Sequence, residues 1–340
     1  MINTHTLLKI AKDVHFYGDV REYYVRPYLS SVSIPEWDEK LGRHTSPRQW
    51  VATVEDVTLA GPGLVGLANK YSRDVILDTT YFGRIDLFER NLPYFQGAMA
   101  SLDGETKHMD IAVSLGTVWT YNYFHFIIDI LPKLEAITHY QTETGEFPVI
   151  LIPANPPRFV LDIFDYLDVH YITVDGPANI RVERLVIPSS HRQNGFPHPG
   201  AIEYLRDLVG VYGDPKEKIY VSRELARSRR VSNETKVMEA LTKMGFYKVC
   251  AESFPWRRQL DMFSNANVIA GPHGAGLVNM VFGNNPIVLE LVTPEYTNPC
   301  CWLIGEAMGI KYGCVLGTKT VDEDISIDVD TLIKTLKGLE

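Results

Sequence analysis

Cysteine is scarce in this 340-residue chain. The four present (Cys250, Cys300, Cys301 and Cys314) form no Cys-x-x-Cys pair and no zinc-type spacing. A disulfide scaffold is thereby excluded, and the adjacent Cys300 and Cys301 are poorly placed to bridge each other. All four read as small core residues of a reduced, cytosolic protein. Long apolar runs are missing as well: none approaches the ~20 residues that span a bilayer. The opening MINTHTLLKIAKDVHF lacks a signal-peptide core. The expectation is a cytoplasmic protein with at most peripheral membrane contact. Basic charge is in deficit, 33 Lys and Arg against 42 Asp and Glu, for a net charge of −9. That excludes nucleic-acid binding through a broad basic face, so any strong anion site must be local.

What is present is ordinary globular material, 45% hydrophobic and 22% charged, in a length that suggests two domains. Residues 1–110 carry short β-like runs (DVTLA, DVILDTTYF, RIDLF) between Pro/Gly loops. From about residue 111, strand and helix patterns alternate. AVSLG reads as a strand, NYFHFIIDILPKLEAITHY as a helix interrupted at Pro132, PVILIP as a strand and PRFVLDIFDYL as a helix. YITV and ERLVIP follow as strands, and AIEYLRDLVG as a helix. VYGDPKEK, residues 211–218, is polar and turn-rich and serves as the linker. A second alternating run begins with strand KIYVS and helix SNETKVMEALTKM, which Ser232 is placed to cap. It continues through YKVCAE, PWRRQLDMFSNA, VIAG, a short helix and PIVLELV, and ends in a helix over DVDTLIKTLKGL. Such alternation predicts parallel sheets covered by helices. The expected architecture is α/β, with an acceptor-side Rossmann-like domain at 1–212, a nucleotide-binding one at 213–320 and a tail helix at 321–340.

VIAGPHGAGLVNMVF, residues 268–282, is the most informative stretch. A buried strand ends in Gly271, Pro272, His273, Gly274, Ala275 and Gly276 before an apolar helix. In open α/β sheets ligands bind beyond the carboxyl ends of strands, where glycine admits close approach and helix N–H groups favour anions. The spacing is neither Gly-x-Gly-x-x-Gly nor a P-loop. His273 adds a donor within reach of a phosphate oxygen. KIYVSRELARSRR, residues 218–230, sets Lys218, Arg223, Arg227, Arg229 and Arg230 against the single acid Glu224, again at the end of a strand. Glu290 lies among apolar residues in PIVLELV, where an unpaired carboxylate is costly; facing a ligand, it would accept from ribose hydroxyls. Together these residues predict a nucleotide-diphosphate pocket, with backbone and arginines on phosphate and a glutamate on sugar.

The ordered set Y-V-S-R…S-R-R-x-x-N-E…G-F…R-Q-L-D-M-F…G-P-H-G-A-G-L-V-N-M-V-F…V-L-E-L resembles glycosyltransferase family 61. N-Y-F-H-F-I-I-D-I-L-P-K-L and R-L-V-I-P, earlier in the chain, belong to the same resemblance, which covers roughly residues 115–310. The family spans bacterial polysaccharide glycosyltransferases, O-GlcNAc transferases of EGF domains and plant xylosyltransferases. The resemblance implies a GT-B fold, two Rossmann-like domains facing across a cleft. It also implies a nucleotide-sugar donor, usually UDP-linked, in the C-terminal domain, and metal-independent inversion at the anomeric carbon. The residues agree on the metal: the only Asp-x-Asp triplets, Asp322-Glu323-Asp324 and Asp328-Val329-Asp330, lie in the acidic tail and read as solvated charges. Leaving-group charge would fall to arginine and helix N–H groups.

NYFHFIIDILPKL holds His125 and Asp129 at i, i+4 on one helix face among Phe124, Phe126, Ile127, Ile128 and Ile130. Glycosyl transfer needs a base for the acceptor hydroxyl. Either His125 oriented by Asp129, or Asp129 directly, fits that role. His191 and His198 form a weaker pair in a loop, and Trp256 and Trp302 read as core. The predicted function is transfer of a sugar from a UDP-sugar to a glycan or glycoconjugate acceptor in surface polysaccharide biosynthesis, without metal. A nucleotide-dependent oxidoreductase and a non-catalytic nucleotide- or carbohydrate-binding protein are the rivals. The glycine spacing and the arginines speak against the first, and the His125/Asp129 face against the second.

Overall fold

The computed structural model describes residues 10–60, 65–68, 76–77, 106–117, 119–174, 179–193, 195–211, 214–320 and 324–340. The strand-like run RIDLF and most of DVILDTTYF lie outside the described residues. The chain divides into two compact units: Met1–Val20 with Pro47–His191, and Arg21–Ser46 with Arg192–Glu340. Compactness thus puts the division at 191/192, upstream of the polar linker expected near 212. The helix Pro199–Val209 explains the difference. Its Arg206 guanidinium donates to the carbonyls of Val281 (3.2 Å) and Gly283 (2.7 Å), deep in the second unit.

The strands in chain order are β1 (Asp13–Tyr17), the hairpin β2 (Arg21–Val25) and β3 (Gly42–Ser46), then β4 (Gln49–Ala60). β5 (Val65–Ala68), β6 (Ile76–Leu77), β7 (Thr106–Ser114), β8 (Val149–Pro153), β9 (Ile172–Val174) and β10 (Asn179–Pro188) follow. In the first unit the sheet runs β6-β5-β4-β10-β7-β8-β9, with β1 also on β4. Only β10-β7-β8-β9 is parallel; β4 meets β1, β5 and β10 antiparallel. The strands of the alternating run from residue 111, β7 to β10, are parallel as expected; the antiparallel strands come from residues 1–110, so the sheet as a whole is mixed. β4 reads QWVATVEDVTLA and is buried along nearly its whole length, because Val54, Val57 and Leu59 enter the core with Ala112, Leu151, Val182 and Leu185.

The second unit opens with the two-residue strands β11 (Arg192–Gln193) and β12 (Phe196–Pro197). Its main sheet holds β13 (Glu217–Val221), β14 (Phe246–Val249), β15 (Ala266–Pro272), β16 (Ile287–Val292) and β17 (Tyr312–Leu316). The order is β14-β13-β15-β16-β17 and every pairing is parallel. This is a doubly wound sheet whose strand order reverses between β13 and β15, so ligands are expected at the carboxyl ends of those two strands. β13 and β15 approach closely at Gly271, where an added Cβ would sit 2.6 Å from the Val221 carbonyl oxygen. The expected tail is part of this unit: Leu332, Leu336 and Leu339 of helix Val329–Leu339 are buried against Tyr220, Val268, Leu289 and Val315. Asp328 caps that helix by accepting from Thr331 N–H at 2.8 Å.

Candidate functional site

Residues 222–233 connect β13 to the helix Glu234–Thr242, and side chains tie the loop at both ends. Ser222 Oγ donates to Glu234 Oε1 at 2.8 Å and accepts from Glu224 N–H at 3.1 Å. Asn233 donates to the Ile327 carbonyl and accepts from the Ile327 N–H, at 2.8 and 2.9 Å. Arg230 is held by Asp324, through its backbone N–H at 2.8 Å and its Nε at 2.9 Å. Ser232 is no cap; its hydroxyl donates to the Ile325 carbonyl at 3.1 Å. Asp324 is no solvated charge either, being a buried partner of Arg230. Arg230 thus belongs to the scaffold of the loop, and Lys218 pairs with Glu340 at 2.5 Å.

Three arginines remain: Arg227 is exposed, and Arg223 and Arg229 are half-buried at the strand ends. Arg223 Nη2 donates to the Ser228 carbonyl at 3.0 Å, while its Nε is buried with no hydrogen-bond partner. Burial, and then repulsion from Arg229, lower its guanidinium to about 10. Arg229 sits at φ 59, a left-handed conformation uncommon outside glycine. Its guanidinium lies 4.7 Å from the centre of the Tyr296 ring. Neither arginine pairs with a carboxylate among the described residues.

The glycine–histidine loop leaves β15 beside them. The His273 N–H donates to the Leu291 carbonyl at 2.9 Å, which extends the sheet by one residue. Its Nδ1 lies 2.5 Å from Glu290 Oε1, and the Tyr312 hydroxyl donates to Glu290 Oε2 at 2.7 Å. Glu290 is fully buried with both oxygens engaged, so it anchors His273 and offers nothing to a ribose hydroxyl. This corrects the sugar-binding expectation; the carboxylate that sequence alone left without a partner has one 17 residues away. Burial opposes charge on His273, but the Glu290 carboxylate and a contact with Cys300 outweigh it, raising the imidazole to about 9. Tyr296 meets the ring edge-on at 5.1 Å.

A Cβ at Gly274 would collide with the Arg223 guanidinium, so glycine there lets the arginine lie on the loop. At Gly276 it would come 3.2 Å from Val221 Cγ1. Ala275–Phe282 forms a 3₁₀ helix whose Asn279 donates to Gln259 Oε1 at 2.8 Å. Gln259, from helix Trp256–Ser264, donates in turn to the Phe254 carbonyl at 3.0 Å. Arg223, His273, Gly274, Ala275 and Gly276 therefore gather at the β13/β15 switch point, with Arg229 beside them through Tyr296.

The second group belongs to the first unit. Beyond β7, a short helix Tyr123–His125 runs into a π-helical turn, Phe126–Ile130, before helix Lys133–Thr144 starts after Pro132. Proline cannot donate to the Ile128 carbonyl, and the Leu131 N–H goes to Phe126 at 2.8 Å instead, so the expected interruption takes the form of a wide turn. His125 Nδ1 lies 2.6 Å from Asp129 Oδ2. Trp119 stacks on the His125 ring at 4.6 Å. With Asp129 fixing the proton on Nδ1, the lone pair sits on Nε2, as a general base requires.

Other sequence candidates have structural work. His191 is buried against the Tyr17 hydroxyl at 3.1 Å, and His198 Nδ1 accepts from Gly200 N–H at the start of helix Pro199–Val209. Trp256 and Trp302 are buried, the latter stacked on Trp37 at 5.2 Å. Sequence reasoning missed Tyr312, Tyr296 and the helix Cys300–Met308. Nothing in CWLIGEAM or YGCVL marks a functional group, because those side chains act through a register that only the folded sheet supplies.

The family model for glycosyltransferase 61 matches residues 123–289, a span from the first turn of the His125 helix to β16. An EGF domain-specific O-linked N-acetylglucosamine transferase of Drosophila melanogaster is 32% identical over 108 residues. That alignment covers 30% of this chain and 20% of the fly protein, so the chain matches about a fifth of the relative's length.

Proposed function

Because the chain belongs to glycosyltransferase family 61, we propose that it transfers a sugar from a UDP-sugar to a glycan or glycoconjugate acceptor, inverting the anomeric carbon without a metal. The GT-B arrangement and a place in surface polysaccharide synthesis in the cytoplasm are parts of the same reading. One observation carries it. A half-buried arginine, whose buried Nε has no partner and which has no counter-ion among the described residues, lies on a glycine loop at the topological switch point of a doubly wound sheet. Burying an uncompensated guanidinium is costly, and a diphosphate at that edge compensates it. Arg223 and Arg229 then receive the charge that develops on the leaving diphosphate as the C–O bond to the sugar breaks. His125 Nε2 takes the proton of the attacking acceptor hydroxyl, and Asp129 stabilises the imidazolium formed.

UDP should raise the melting temperature of the full chain in the presence of EDTA. At a hundred times its dissociation constant it adds about 2.7 kcal/mol of apparent stability. A panel of UDP, GDP, CMP, TDP and NAD tests the reading: a shift with NAD and none with a nucleoside diphosphate overturns it in favour of an oxidoreductase. Strict dependence of UDP binding on Mn²⁺ or Mg²⁺ removes the metal-free mechanism alone.

Gly274→Ala should separate fold from ligand. The new methyl meets the far end of a flexible arginine, which can swing away, so the melting temperature should stay near wild type. The displaced Arg223 should cost UDP affinity, about tenfold for the 1.4 kcal/mol scale of one imperfect charge-assisted contact. Calorimetry with UDP checks this; unchanged affinity would detach Arg223 from the phosphate.

A further inference from the structure

His273 follows β15, whereas Cys300 and Cys301 open the helix Cys300–Met308, 27 residues further on in the chain. The fold brings them together: one ligand atom from each, imidazole nitrogen or thiol sulfur, lies within 4.8 Å of the others. It is the only such cluster of three or more His, Cys, Asp or Glu among the described residues. His273 Nδ1 is taken by Glu290, which is itself fixed by Tyr312, so Nε2 is the nitrogen left for a ligand. A buried carboxylate behind an imidazole is the outer-shell arrangement that orients metal-binding histidines. The cysteine pair is positioned as well, since Asn298 Oδ1 accepts from the Cys300 N–H at 3.0 Å. His273 and Cys301 are buried and Cys300 is half-buried, so the cluster opens on the Cys300 side.

We propose that His273, Cys300 and Cys301 form a binding site for a thiophilic divalent cation, zinc being the expected one. A nitrogen and two thiolate sulfurs suit zinc and its analogues and not the hard cations magnesium, calcium or manganese, which take oxygen. Three protein ligands leave the fourth tetrahedral position open. Two thiolates neutralise the ion's charge, so it can be held beside Arg223 and Arg229 without a carboxylate ligand. The site does not supply the metal of a donor diphosphate; it competes with the donor. Nε2 bound to zinc can no longer donate to a phosphate oxygen, so zinc and UDP should exclude each other. That consequence rests on the proposed donor pocket, whereas the metal site does not.

The full chain, stripped with chelator under reducing conditions, is titrated with Zn²⁺ by calorimetry and with Co²⁺ by absorption. One equivalent of each metal should bind, and cobalt should show thiolate-to-metal charge transfer in the near ultraviolet. Cys300→Ser and Cys301→Ser should each weaken binding by more than the about 10–100-fold that loss of an outer-shell partner costs. Glu290→Gln should fall within that range and keep the charge-transfer band. Cys250→Ser, which alters a thiol bonded to Glu224, should bind as wild type. In the unmodified protein, zinc should protect Cys300 and Cys301 from alkylation, read by peptide mass spectrometry, so the test survives a variant that misfolds. Wild-type affinity in the Cys300/Cys301 double variant, absence of the thiolate band, or alkylation indifferent to zinc overturns the site. Zinc binding retained in a protein that binds no UDP supports the site and overturns the donor reading instead.

Discussion

Replacing Asp129 by Asn, or His125 by Ala, should lower turnover by about 10²–10⁴-fold and leave UDP affinity at the wild-type level. The 2.6 Å contact between His125 Nδ1 and Asp129 Oδ2 is the reason. In Asp129→Asn the new amide can donate to Nδ1 as well as accept from it, so it no longer enforces the tautomer with the lone pair on Nε2. The same change withdraws the negative charge that stabilises the imidazolium once the acceptor proton has moved. His125→Ala removes the base itself. The residues should act as a unit, the double variant being little worse than the more damaging single one. UDP affinity is spared because both residues belong to the first compact unit and the arginines to the second. UDP release by each variant, with calorimetry alongside, separates the two effects. On the proposed mechanism Asp129 acts through His125, so Asp129→Asn should lower kcat with little change in KM. Near-normal turnover in both variants would move the base elsewhere and return the helix to a purely structural role.

How much of this was legible in the sequence depends on where each partner lay. The strands of the second sheet up to β16 could be placed because each is a short apolar run bounded by glycine, proline or polar residues. β17 could not, since YGCVL follows the glycine-rich GEAMGIK and its partner strand is set only by the fold. The His125–Asp129 pair was readable because both residues lie one helical turn apart. Glu290 was misread for the opposite reason: its burial was visible, but its partners His273 and Tyr312 are 17 and 22 residues away. Arg230 and Asp324, 94 residues apart, were likewise assigned separately, one to a ligand and one to solvent. The basic run 218–230 therefore looked like a single positive patch, whereas the structure divides it into Arg230, which holds the loop, and arginines without a counter-ion among the described residues. Of β4 only the end, DVTLA, was legible as a strand; the rest escaped because β4 is buried on both faces for most of its length, which erases the alternation that marks a half-exposed strand.

Arg223 should carry the second large effect, and its neighbour Arg230 supplies the contrast. On the proposed mechanism Arg223→Ala removes a donor aimed at charge that develops on the leaving diphosphate, so kcat should fall by about 10²–10³-fold with weakened UDP binding. Arg223→Lys should not restore it. A lysine offers one compact ammonium where the site is shaped for a planar fork lying on Gly274 and reaching the Ser228 carbonyl. The fold should tolerate Arg223→Ala, because the wild-type side chain buries an Nε with no partner and its removal relieves that cost. Arg230→Ala should behave in reverse. Its guanidinium meets Asp324 Oδ2, so its loss strips a buried carboxylate of its ion pair, leaving the backbone N–H contact to Oδ1, and loosens the tie between the loop and residues 324–327. The expected result is a lower melting temperature with a smaller change in UDP affinity than Arg223→Ala produces. Melting curves, UDP calorimetry and turnover on the three variants distinguish the roles. If Arg223→Ala keeps wild-type turnover, or if Arg230→Ala loses UDP binding at an unchanged melting temperature, the two arginines have been assigned the wrong way round.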